Sequence, residues 1–462
     1  MNSISKHSYQ EGNVRRLLFM RTLPMIMGIF SMMAFNLVDM FFISRLGIEP
    51  LAAISFTFPV VIVISSFTLG LGAGASAVIS RAIGESEFDK VRHYATDSII
   101  LAFLFTCFFV AAGFAGFDTI FNFLGAHGRI LEMVRSYMYI WYWGMICVVV
   151  PMVGNNIIRA TGDTRMPGLL MCLAIVINII LDPLLIFGYG PFPAMGIAGA
   201  AVATVISRAV TFVIVLIVLI RKYDIILLRI PEFSELMDSW KKILYIGLPN
   251  AVTNVSVPAG IGIFTKMMSW YGPEAVAAFG VTSRIKSFTF IIIFSLSTVL
   301  GPFIGQNYGA GKICRAYQGV RESNRFALLW GVLCALLLFV FAEPLVRIFT
   351  DDQKVLCIAA DYLRILPVGY GFNALLILSS TVFTVLNRPF KAMFLNVLYM
   401  FILSIPLAYL FSRFYGLTGI FIGAVLAQIF SGVYAACCIK KYFRPQEETC
   451  LVDGVYAEDQ AV

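Results

Sequence analysis

Long apolar runs separated by short polar breaks organise this chain. A bilayer crossing takes about 20 mostly apolar residues, and runs of that order occupy 20–46, 51–80, 95–117, 133–157, 168–189 and 195–220. Six more occupy 243–271, 275–304, 323–343, 355–384, 392–412 and 417–439. The pattern predicts twelve transmembrane helices. The longest charged break carries Lys222, Asp224, Arg229, Glu232, Glu235 and Asp238 and lies between the sixth run and the seventh. It divides the chain into an N-terminal lobe (1–222), a cytoplasmic connector (223–242) and a C-terminal lobe (243–444), followed by a short polar tail (445–462).

The two halves repeat. Leu23-Pro24 returns as Leu248-Pro249, and at the same offset the stretch Gly47-Ile48-Glu49-Pro50-Leu51-Ala52-Ala53 is answered by Gly272-Pro273-Glu274-Ala275-Val276-Ala277-Ala278. Gly84 is answered by Gly309, and at a slightly shorter offset Gly196 and Gly199 are answered by Gly416 and Gly419. Each half has an even number of spans, so both enter the membrane in the same direction. The expected fold is therefore an all-α membrane protein of two six-helix lobes related by a pseudo-twofold along the membrane normal. Parallel repeats of this kind are a transporter signature.

Composition narrows the function classes. Apolar residues make up 60% and charged residues 13%, against about 25% charged in soluble domains, and the mean hydropathy is +0.87. A soluble enzyme, a secreted disulfide scaffold and a disordered regulator are excluded. The nine cysteines are scattered and the three histidines stand apart, so neither a metal nor a disulfide framework is expected. The net charge of +8 could suggest nucleic acid, but its placement argues otherwise. With the N-terminus in the cytoplasm, roughly two-thirds of the Lys and Arg fall on the cytoplasmic side, among them Arg15, Arg16, Lys90, Arg92, Arg165, Lys241, Lys242, Arg315, Arg321, Lys440 and Lys441. That is the positive-inside bias. It predicts an inner-membrane protein with both termini cytoplasmic, a lipid bilayer as its surroundings, and no nucleic-acid or obligate protein partner. The first apolar run is too long for a signal h-region and shows no small-residue cleavage site, so it is expected to remain.

Ionisable groups inside the membrane are costly and mark function. Nearly all 26 carboxylates lie in loops or at span ends; Asp39 and Asp182 are the exceptions. Both sit on outward-running spans, about 12 Å and about 9 Å below the outer ends at ~1.5 Å per residue. Asn36 and Asn178 precede them by three and four residues, so each amide shares its carboxylate's face. Pro183 cannot donate to the carbonyl of Ile179, which leaves a further oxygen beside Asn178 and Asp182. Asn155, Asn156 and Thr204 are expected to reach the same interior, with Asn155 and Asn156 as substrate-cleft candidates. Two close, dry carboxylates cannot comfortably both carry charge, so this set predicts a proton or hard-cation site. A purely structural role in helix–helix hydrogen bonding is the alternative. Pro24, followed by Gly28, is expected to kink the helix that carries Asp39, and Pro183 the helix that carries Asp182.

Buried cations read differently. Arg208 lies mid-span and is expected to pair with a carboxylate or helix carbonyls. Arg284 and Lys286 are expected to snorkel outward. An anion or lipid-phosphate site is the other reading of these three. Some of the 41 Phe and 19 Met would suit a forgiving pocket.

Asn36-Leu37-Val38-Asp39 followed by Gly47, with Asn178-Ile179-Ile180-Leu181-Asp182-Pro183 and Gly199-Ala200-Ala201-Val202-Ala203-Thr204, resembles the multidrug and toxic compound extrusion family across essentially the whole chain, and its DinF-like branch most. The resemblance implies a V-shaped pair of six-helix lobes exporting amphipathic, often cationic compounds in exchange for H+ or Na+. On that likeness Asp39, Asn178, Asp182 and Thr204 fall on the family's N-lobe cation site, where they would hold a Na+ ion, with Asn155 near it. Pro24 matches the family's bending proline. The seventh span lacks a mid-span carboxylate, so the C-lobe acidic site of the NorM-like branch is absent.

The expected function is secondary antiport by alternating access, with no cofactor other than the coupling ion. A lipid-linked oligosaccharide flippase of related architecture is the alternative, although it calls for a strongly cationic cleft. A membrane enzyme is disfavoured because no histidine has catalytic company.

Overall fold

The structure, a computed structural model, describes residues 9–189, 192–227 and 232–452. Arg229 of the connector and the last ten residues of the tail lie outside them. The first half comprises α1 (Val14–Ser44), α2 (Ile48–Gly84), α3 (Phe88–Ala115), a short α4 (Phe117–Phe123), α5 (Gly128–Gly144), α6 (Ile146–Ala160), α7 (Arg165–Phe187) and α8 (Ile197–Ile217), which ends in a π-helical turn at Val218–Lys222. The second comprises α9 (Phe233–Ser269), α10 (Pro273–Gly309), α11 (Ile313–Val340), a short α12 (Ala342–Arg347), α13 (Gln353–Ile365), α14 (Tyr370–Val385), α15 (Pro389–Val397) and α16 (Ile405–Val452).

These helices make twelve membrane spans in two six-helix halves. Nine stretches among the described residues are long and apolar enough to cross, and α5 with α6, bent by 47°, forms a tenth. Another is concealed in Pro389–Arg444, which reverses within α16 at Gly416, where φ is 59°. The twelfth is α9. It has the length, at 37 residues, but Asn250, Thr253, Asn254 and Ser256 dilute its apolar character.

Packing divides the described residues into two compact units, one of residues 23–251, the other of 9–22 and 252–452. The division falls within α9 and not in the connector, because the first turns of α9 pack with the first unit: a Cβ on Gly70 would lie 2.4 Å from the carbonyl oxygen of Gly247. Helix also reaches further than the polar sequence suggests. It begins at Phe233, inside the connector, and runs through the first eight residues of the tail to Val452. Among the described cysteines seven are free, while Cys314 is disulfide-bonded.

The sequence repeat is written into the backbone. Gly47 and Gly272, which precede α2 and α10, have φ of 117° and 104°, and Gly196 and Gly416 have φ of 56° and 59°. Two further pairs at matching positions are left-handed without matching in residue type: Ser86 (φ 61°) with Gly311 (φ 71°), and Gly162 (φ 96°) with Asn387 (φ 60°).

Candidate functional site

The first unit brings its two membrane-embedded acids together by way of small residues. α1 passes through Pro24 and α7 through Pro183 as continuous helices. They touch where neither has a side chain: a Cβ on Gly28 would stand 2.9 Å from Gly168 Cα, and one on Gly168 only 2.5 Å from the Pro24 carbonyl oxygen. One turn on, Ser31 Oγ lies 3.2 Å from Cys172 Sγ. Further along the same two helices come Asp39 and Asp182, which interact electrostatically with each other and with Tyr137 of α5.

Asn178 and Asp182 are wholly buried. The Asn178 amide Nδ2 donates to Asp182 Oδ1 at 3.0 Å, an i,i+4 contact along α7. Asp182 Oδ2, Asn178 Oδ1 and Asp39 Oδ1 are then buried with no hydrogen-bond partner, as are Thr204 Oγ1 and Asn155 Oδ1. Thr204 joins the same region from α8. That helix is seated on α7 at Gly199, where a Cβ would meet the Leu185 carbonyl oxygen at 2.3 Å. Counting about 1.5 Å per residue inward from this contact, Thr204 lies at a depth between Asp182 and Asn178.

The chemistry of this set follows from what it lacks. Leaving a buried polar atom unsatisfied costs about 1–3 kcal/mol, and four of these five atoms are carboxylate or carbonyl oxygens that can only accept. A proton or an oxygen-loving cation satisfies such a group. Among the described residues no cluster of three or more His, Cys, Asp or Glu exists, so the donor set suits a singly charged ion better than a multidentate metal centre.

Two sequence candidates stand apart. Asn36 is exposed, and its Nδ2 donates to the Met32 carbonyl of its own helix at 3.3 Å; three residues of spacing from Asp39 leave it turned outward. Asn156 uses both ends locally. Its Nδ2 donates to the Met152 carbonyl at 2.8 Å and its Oδ1 accepts from Arg159 Nη2 at 2.5 Å, while it fills the space over Gly72. It is a packing group tied to its own helix, unlike its neighbour Asn155.

The cations also differ from expectation. Arg208 forms no ion pair with the described carboxylates; its guanidinium lies over the Phe35 ring at 4.7 Å. Arg284 is exposed, as snorkelling requires. Lys286 instead holds its ammonium 5.7 Å from the Phe290 ring centre and 5.9 Å from that of Tyr370, and the Tyr370 hydroxyl is itself buried without a partner. Tyr137 and Tyr370 escape sequence reasoning because an aromatic inside an apolar run looks like packing. Only three-dimensional proximity to a charge singles them out.

Comparison with known proteins agrees with this architecture. The MatE family model matches residues 24–184 and 249–410, once in each half. The chain is 36% identical over 444 residues to a protein of Shewanella oneidensis named FAD transporter, covering 96% of this chain and 98% of that one. It is 28% identical to the probable multidrug resistance protein NorM of Thermotoga maritima, covering 90% of each. The crystal structure of the Vibrio cholerae MATE transporter VcmN in its bent form superposes with a TM-score of 0.89 at 30% identity, covering 96% of this chain and 99% of that one.

Proposed function

This chain belongs to the MatE family of membrane transporters, and we propose that it is an ion-coupled exporter of amphipathic small molecules, working as a secondary antiporter. The observation that carries the proposal is the Asn178–Asp182 hydrogen bond beside Asp39, with one oxygen of each acid buried and unpartnered. Outside, H+ or Na+ loads on Asp39 and Asp182, and Asn178 and Thr204 complete the oxygen set for Na+. Inside, the ion leaves and the acids recover their charge. Each net inward charge crossing 100 mV yields about 2.3 kcal/mol, and where the exchange is electroneutral the H+ or Na+ gradient itself is the driving force. The acid pair on α1 and α7, without a mid-span counterpart in α9, fits the DinF-like branch. The positive-inside bias supports a bacterial inner-membrane location with both termini on the cytoplasmic side.

For the substrate, two chemistries follow. Vacated carboxylates suit an amphipathic cation, a kind of compound that fits relatives named multidrug resistance and multidrug export proteins. A second reading is an anionic aromatic of the flavin dinucleotide type, after the relative named FAD transporter. The specific observation in its favour is that Lys286 in the second unit, like Arg208 separately in the first, faces aromatic rings and forms no ion pair with a described carboxylate. A ring system that stacks and a phosphate that pairs would use both features.

The deciding experiment uses purified protein in liposomes. Efflux of a cationic dye and of FAD is followed under an imposed pH gradient and then a Na+ gradient, for wild type, Asp39→Asn, Asp182→Asn and Lys286→Gln. Transport driven by one gradient and lost in both aspartate variants is expected. Loss of FAD movement alone in Lys286→Gln selects the anionic substrate. Movement of both probes indifferent to gradients and to both aspartates would reject the coupling site and turn attention to the flippase reading.

A further inference from the structure

A second charged site lies in the other unit, at one membrane face and far along the sequence from the acids. The uncharged stretch of α11 runs from Phe326 to its end, so Arg325 is the first charge at its edge, with Arg321 one turn further out. In α16 the uncharged stretch from Leu417 ends at Ile439, and Lys440 is the first charge beyond it. Both charges therefore stand where hydrocarbon gives way to headgroups. α11 starts and α16 leaves the bilayer at the same face, which the positive-inside bias makes cytoplasmic.

Between the two helices is a cavity of about 230 Å³ lined by Tyr317, Arg321, Asn324, Arg325 and Lys440, with Ala436 in its apolar floor. It has room for several waters at about 30 Å³ each, or for a small headgroup. Arg325 is committed to Glu322, with Nη1 donating to Oε1 at 2.9 Å. Arg321 and Lys440 have no carboxylate partner among the described residues, so two positive charges face one pocket unopposed. Asn324 adds an acceptor: its Oδ1 is buried and receives no hydrogen bond. Toward the bilayer centre α11 presents Leu329 and Val332, 69% and 59% exposed, a track for an acyl chain.

We propose that this pocket binds the headgroup of an anionic phospholipid of the phosphatidylglycerol type. The phosphodiester pairs with Arg321 and Lys440, and a headgroup hydroxyl donates to Asn324 Oδ1. Phosphatidylcholine has the same phosphodiester but offsets it with its own cation, which weakens its pairing with Arg321 and Lys440, and it has no headgroup hydroxyl to donate to Asn324 Oδ1. A basic notch between helices at headgroup level differs from the diffuse attraction of a positive membrane face in being local: moving the same charges elsewhere abolishes it.

The test is native mass spectrometry of the full chain released from micelles doped with equal amounts of phosphatidylglycerol and phosphatidylcholine. Wild type should retain phosphatidylglycerol preferentially, and Arg321→Gln with Lys440→Gln should lower that preference about tenfold. Ala436→Phe, which fills the floor with all charges in place, should lower it too. Arg165→Gln with Arg221→Gln, removing equal charge from the first unit, should leave it as in wild type. The proposal is overturned if the pocket variants keep wild-type preference, if the Arg165/Arg221 variant loses as much, or if excess inorganic phosphate displaces the lipid completely. The last result would make this a free-phosphate site.

Discussion

Asn178 donates its amide hydrogen to Asp182 Oδ1 at 3.0 Å while its own Oδ1 stays buried and unpartnered. With Asp182 ionised this orientation is the favourable one, since a reversed amide would set oxygen against oxygen. The pair therefore presents two acceptors, one from each residue, at the point where α1 brings Asp39 alongside. In the proposed function, Asn178 orients Asp182 for its ion and also contributes to the set. Replacing it with Leu keeps the bulk and removes both functions. The expected result is transport that still depends on the driving ion but needs about 10- to 100-fold more of it, the usual penalty for losing an orienting neighbour. Half-saturating ion concentration in liposomes measures this, and an unchanged value would show that Asn178 only packs.

The approach of α1 to α7 rests on Gly28 and Gly168. A side chain at 168 would press on the Pro24 carbonyl at 2.5 Å, which is backbone and cannot swing aside. Gly168→Val should therefore cost about 1–3 kcal/mol, as overpacking does, and should displace Asp39 relative to Asp182. Reduced thermal stability together with weakened ion dependence is the expected pair of results. Stability lost with ion dependence intact would separate the helix contact from the site.

How much of this could be read from the residues depended on whether a feature was local. The Asn178–Asp182 contact was legible because a polar pair four apart in an apolar run has one geometry available. Twelve spans were legible from hydropathy, including the pass hidden in Pro389–Arg444, because Gly416 answered Gly196. Non-local matters were not. Asn36 and Asn156 have the right chemistry and the right neighbours in sequence, but one faces outward and the other serves Arg159 and Met152. Lys286 looks like a snorkelling cation until α14 supplies Tyr370. Tyr137 gives no signal at all until α1 and α7 place two acids beside it.

Asp163, in the turn between α6 and α7, joins that turn to the end of α8. Its Oδ2 accepts from the Tyr223 hydroxyl at 2.5 Å and from Lys222 Nζ at 3.0 Å, while its Oδ1 accepts from the backbone of Arg165 and Met166. Burial alone would push this carboxyl up, but the Tyr223 and Lys222 hydrogen bonds outweigh it and hold the group down at about 2. A depressed folded value means that the stabilisation is present above the unfolded value of 3.8 and is lost as pH falls toward 2. Asp163→Asn should destabilise the protein by at most about 2 kcal/mol at neutral pH, and by less where water screens the half-exposed Lys222. The gap should shrink to about half by pH ~3. Unfolding of the detergent-solubilised protein over this range tests it, and a gap constant with pH would assign the loss to packing. The matching joint in the other unit, after Asn387, sets Arg388 over the Tyr442 ring at 5.0 Å and should show no such acid dependence.

Ser86 and Gly311 occupy matching turns, after α2 and after α10, with φ of 61° and 71°. Both are exposed, and a Cβ at 311 would meet nothing within 4 Å, so contacts do not decide between the residue types; backbone conformation does. A left-handed conformation costs a residue with a Cβ about 1–2 kcal/mol, and glycine avoids this while losing about 0.4–1 kcal/mol through the greater freedom of its unfolded chain. The balance favours glycine at both turns by a few tenths to about 1 kcal/mol. Ser86→Gly should therefore raise the melting temperature slightly and Gly311→Ser should lower it by a similar amount, with transport unchanged in both. A fall in stability for Ser86→Gly would mean that the serine side chain contributes to the turn more than its conformation costs.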